Sequence, residues 1–114
     1  MNSIESISSR IISECNRQHA IYCNKIGSTN QSIASSFEDI KEYVIMKSLE
    51  SGMKSLESGI MFDDTFIYVC EIKEWLNRNY VNRSKCQSIA RIASSKAYHD
   101  MIDFIDIYIM KDVL

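Results

Sequence analysis

The chain has 114 residues, enough for one hydrophobic core but not for two, and its 46% hydrophobic content is that of an ordinary globular protein. Thirteen basic against fifteen acidic side chains give a net charge of -2, which excludes a global field pulling the protein onto nucleic acid or an anionic membrane. Any such binding has to be local.

The longest uninterrupted apolar run, Phe66 to Cys70, falls far short of the ~20 residues of a membrane-spanning helix. The N-terminal residues show no secretory signal. Cys15, Cys23, Cys70 and Cys86 lack metal- or redox-type spacing and read as reduced thiols, so a cytoplasmic location is expected. Proline is absent and only Gly27, Gly52 and Gly59 punctuate the chain, a composition that favours long helices with short polar connections. The expectation is a single all-α domain over residues 1–114, a small bundle of four to five helices.

In chain order, Asn2 with Glu5 three residues on predicts a first helix. Its apolar stripe is Ile7, Ile11, Cys15, His19, Cys23 and Ile26, and Gly27 to Asn30 ends it. Cys15, His19 and Cys23 are also metal-capable. A rise of 1.5 Å per residue separates the two cysteines by about 12 Å, too far to share one ion. The stripe therefore reads as a packed core face, and neither a metal nor a cofactor is expected.

Ser35 and Glu38 form a capping box for a second helix, with a start at Ser32 as the alternative and Phe37, Ile40 and Val44 facing inward. The sequence MKSLESG then occurs twice in tandem, at 46–52 and 53–59. Met46, Leu49, Met53, Leu56 and Ile60 take heptad a and d positions, and Glu50 is spaced to pair with Lys54. Two heptads are fewer than a coiled coil needs, and a glycine inside a helix costs about 1 kcal/mol. The repeat reads as a duplication on a core-facing helix; the functional alternative is a partner-binding seam.

Asp63 or Asp64 caps a third helix with Phe66, Val69, Ile72, Leu76 and Tyr80 inward and Trp75 at the margin. A fourth starts at Ser84 with Cys86, Ile89, Ala90 and Ala93. A break at Ser94-Ser95-Lys96 separates it from a fifth, where Ala97, Met101, Ile105 and Tyr108 share a face. Thr65 to Cys70 and Phe104 to Met110 are rich in β-branched and aromatic residues, so the alternative fold is α+β with one or two short strands.

Charge is segregated along the chain. Arg78, Arg83, Lys85, Arg91 and Lys96 lie in a stretch without acids, while residues 37–76 carry four lysines against nine acids. One reading makes these five a phosphate-binding patch, although Asp100, Asp103 and Asp106 on the following helix would repel phosphates. The favoured reading matches the basic stretch to the acidic middle, within the molecule or across a dimer. Those aspartates, with Asp112, lack a calcium-loop pattern and read as solvated positions. No nucleophile, zinc-protease or phosphate-loop motif occurs, so an enzyme is not expected.

What remains is apolar surplus. Ile67, Tyr68, Trp75, Phe104, Ile107 and Ile109 lie at the edges of or outside the main stripes, leaving the third and last helices apolar on more than one face. The expected function is a non-enzymatic protein–protein interaction module, such as a small chaperone, inhibitor or adaptor. Its partner would be another protein presenting an amphipathic helix, in a homodimer or heterodimer; no nucleic acid or membrane partner is expected. The alternative is a small nucleic-acid-binding regulator using residues 78–96.

Overall fold

Ser3 accepts the amide of Ser6 at 3.1 Å and so starts the first helix one residue later than Asn2. A computed structural model describes residues 3–58 and 63–113, with side chains at 3–51 and 64–113. The elements are α1 (Ile4–Cys23), α2 (Ser28–Ser58), α3 (Asp63–Ser84) and α4 (Ile89–Phe104), then a π turn (Ile105–Ile109) and a short α5 (Met110–Val113). No strand occurs among the described residues, so the fold is the all-α bundle and not the α+β alternative.

Cross-helix partners show how the helices run. Asn16 meets Lys41 at 3.3 Å and the Tyr22 and Phe37 rings stack at 6.0 Å, so α2 returns antiparallel to α1. Tyr43 and Trp75 stack at 3.9 Å and Lys47 pairs with Glu71 at 2.8 Å, which sets α3 antiparallel to α2. Arg83 reaches Ser94 at 3.0 Å and Lys73 pairs with Asp106, which reverses the chain again in α4. The result is an up-down-up-down bundle with the α1–α2 and α3–α4 loops at one end. At the other end, Ser8 meets Tyr68 and Arg10 meets Asp112.

The core follows the predicted stripes in each helix's better-packed half: Ile7, Ile11 and Cys15; Phe37, Ile40 and Val44; Val69, Ile72 and Leu76; Met101 and Ile105 are all buried. In α1 the stripe then departs from the expectation. His19 is half-buried, Cys23 is exposed and Ile26 lies in the loop at 98% exposure, while Tyr22 takes the core position. Steps of four overshoot a 3.6-residue turn, so a four-spaced row rotates off the core after two or three steps. Gly27, at φ 118°, turns the chain, and α2 begins at Ser28 instead of Ser32 or Ser35.

The last two predicted helices are one. Ser88 caps α4 by accepting the Arg91 amide, and the chain does not break at Ser94-Ser95-Lys96. Both serines are buried, and their hydroxyls satisfy themselves on the carbonyls of Arg91 and Ile92 at 2.6 Å each. The strand-like run near Phe104 forms the π turn, which buries Ile105 and Ile109 together. Arg10 donates to the Tyr108 carbonyl and to Asp112, both at 2.6 Å, and ties that turn to α1.

Candidate interaction surfaces

The six residues expected to form an apolar binding face do not lie together. Tyr68 and Ile109 are core residues, at 1% and 0% exposure. The Tyr68 hydroxyl contacts Ser8 Oγ at 2.5 Å and donates to the Val44 carbonyl at 3.3 Å, an arrangement that fixes it inside the bundle. Ile109 is drawn inward because the π turn stacks it with Ile105. Trp75 is half-buried between the stacked Tyr43 ring and the edge of Tyr98. Only Ile67 and Ile107 are well exposed, on α3 and in the π turn.

Phe104 is half-buried against Tyr108 and faces an open groove shared with Ser9, Arg10, Ser13, Glu14 and Arg17 of α1. The Arg17 guanidinium bonds both Glu14 oxygens and, with Gln18, holds that carboxyl below its usual range.

Periodicity alone placed the outer apolar strip of α2 on the core side. Met46 stands about 180° around the helix from Phe37, and Leu49 about 140° from Val44. Both Phe37 and Val44 are fully buried, whereas Ile45, Met46 and Leu49 are 41%, 49% and 65% exposed. The first heptad of the repeat therefore faces away from the bundle. At 31 residues, α2 is about 46 Å long. It spans the 47 Å long axis of the molecule and remains helical through both copies of MKSLESG up to Ser58. The side chains of Met53, Leu56 and Ile60, and the expected pairing of Glu50 with Lys54, lie outside the described residues.

The basic stretch is divided. Arg78 pairs with Glu74 at 3.2 Å and Lys96 with Asp100 at 2.8 Å, each one turn away on its own helix. Arg83 lies over the Tyr98 ring, 4.8 Å from its centre, and donates to Ser94. Lys85 and Arg91 are exposed. Within the molecule, matching to the acidic middle among the described residues is the pair Arg78 and Glu74 on one helix. The aspartates read as solvated are at least partly exposed, and each also has a basic neighbour: Asp100 has Lys96, Asp103 has His99, Asp106 has Lys73 and Asp112 has Arg10.

Of the metal-capable trio, Cys15 is buried, and burial pushes its thiol up to about 12. His19 lies 3.3 Å from Cys23 Sγ and 3.6 Å from Glu38. Among the described residues no three such side chains are arranged to hold an ion. No family model matches the chain, and neither the curated proteins nor the solved structures contain a significant match.

Proposed function

We propose that the protein is a non-enzymatic interaction module that associates with a partner helix through the outer strip of α2. The observation that carries this reading is the exposure of Ile45, Met46 and Leu49 on the face opposite the core. An apolar a/d pattern pointing away from the described core is left in water, and burying it against another helix removes that surface from water. Because two identical heptads make a self-complementary pattern, the partner is in the first instance the same strip of a second copy.

Size-exclusion chromatography with light scattering, at low and high salt, tests this. A dimer that persists in high salt and becomes a monomer on Leu49→Glu supports it. A wild-type protein that stays monomeric at every concentration sinks it. Since Leu49 is mostly exposed, the substitution is expected to change folding stability by no more than about 0.5 kcal/mol, so a lost dimer would not mean a lost fold.

A further inference from the structure

The α1–α2 and α3–α4 loops share one end of the bundle, and the residues that build it, 15–37 and 75–99, contain no aspartate or glutamate. They hold seven of the 13 basic side chains; the other six and all 15 acids lie elsewhere. A chain of net charge -2 is thereby split into a basic end and an acidic remainder. Nearest the acidic part, Arg17, Arg78 and Lys96 are neutralised by Glu14, Glu74 and Asp100. Farther out, Lys25, Lys85 and Arg91 are exposed and meet no acid among the described residues.

The same end carries the two most exposed large apolar side chains of the described residues. Ile26, in the first loop, is 98% exposed, and Ile89, the first residue of α4, is 76% exposed; Ile92 follows one turn on at 42%. Water gains nothing from isoleucines at this end, and among the described residues no side chain covers Ile26. Lys25 rests over the Tyr22 ring and Arg91 donates to Cys86 Sγ, contacts that leave their charge unneutralised. Apolar tips beside such exposed cations have the chemistry of a bilayer interface, where side chains enter the headgroup boundary and ammonium and guanidinium groups meet phosphates.

We infer that this end of the bundle docks on an anionic lipid surface, with Ile26 and Ile89 entering the interface and Lys25, Lys85 and Arg91 on the headgroups. The contact is peripheral, since no described helix is long and apolar enough to cross a membrane. It meets the condition that any membrane binding by so weakly charged a chain be local. Nucleic acid would satisfy the cations equally well but offers the two isoleucines no apolar layer, so lipid is the better fit.

Cosedimentation of the full chain with vesicles of phosphatidylcholine, alone or with about one-third phosphatidylserine, tests the inference. Binding is expected only with phosphatidylserine and weaker in high salt. The triple variant Lys25→Ala/Lys85→Ala/Arg91→Ala should bind about 100-fold more weakly, at about fivefold per cation. Ile26→Ser/Ile89→Ser should lose at least about tenfold, given the apolar area withdrawn. All five positions are exposed, and unchanged thermal melts would show that the variants fold. No binding to phosphatidylserine vesicles overturns the inference. So does binding that the isoleucine variant retains in full, or tighter binding to a DNA duplex than to vesicles; either points to a purely electrostatic surface.

Discussion

Tyr68 and Cys15 carry two of the most strongly environment-dependent protons of the core. The Tyr68 hydroxyl spans the meeting point of α1, α2 and α3, bonding Ser8 and the Val44 carbonyl in a site with 1% exposure. Replacing it with phenylalanine keeps the ring packing but removes the bonds to Ser8 and to the Val44 carbonyl, which keeps its place in the α2 hydrogen-bond ladder, a loss of about 1 kcal/mol. Urea unfolding followed by the fluorescence of Trp75, the sole tryptophan, measures this. Ser8→Ala should cost less, because Tyr68 keeps its Val44 bond. For Cys15 the consequence is a pH dependence. Burial, with a smaller contribution from Glu14, raises its pKa from near 9 to about 12, so the folded state keeps the proton that the unfolded chain gives up first. Its contribution is fully present below pH 9 and falls as pH rises toward 12. Burial of Tyr68, raised from 10 to about 12, adds a fall of its own that both proteins share, so unfolding free energies measured at pH 9 and 10 should fall for the wild type and fall less for Cys15→Ala. Equal slopes would show that the thiol is not protected.

At the scale of the element, periodicity identified each helix but not what its face meets. The rows Phe37, Ile40, Val44 and Val69, Ile72, Leu76 were legible because neighbours three and four apart are fixed by helix geometry alone. Helix ends were less so: with no proline and one turn glycine between α1 and α2, polar residues such as Ser35 look like caps wherever they stand. The serines at 94 and 95 imitate a break, yet buried hydroxyls that bond back to the preceding turn sit in a helix without loss. On α2 two stripes of equal quality lie on opposite sides, and only tertiary packing decides that the one through Val44 is core. The π turn follows the same rule, since a run of isoleucine and tyrosine alternates like a strand until Arg10 and the core fix it. Arg10→Ala removes the donor to the Tyr108 carbonyl and one partner of Asp112. It is expected to cost about 1 kcal/mol, and to speed amide hydrogen exchange over residues 109–113 more than elsewhere. Uniform acceleration along the chain would mean that Arg10 supports the whole bundle and not this turn.

The whole molecule adds a property that no single segment shows. Residues 77–98 read as basic in the sequence, whereas residues 15–37 hold only Arg17 and Lys25 and carry no comparable signal; antiparallel threading brings these two acid-free stretches to the same end. All 15 acids lie outside those two stretches, so the net charge of -2 conceals a separation of charge along a bundle whose long axis is 47 Å. That length is several times the ~8 Å over which physiological salt screens a charge, so a surface in contact with one end feels little of the other. A protein with a pI near 5.6 should pass through a sulfonate cation exchanger at pH 7 if its charge were evenly spread. With its charge divided in this way it should be retained there at low ionic strength, as well as on an anion exchanger. Lys85→Glu/Arg91→Glu should abolish retention on the sulfonate resin without disturbing the association proposed for α2. Flow-through of the wild type at low salt would mean that the cations are neutralised in solution by groups that the folded monomer does not place beside them. Retention that survives the double substitution would move the basic surface away from the α3–α4 loop, toward Arg17 and Lys25.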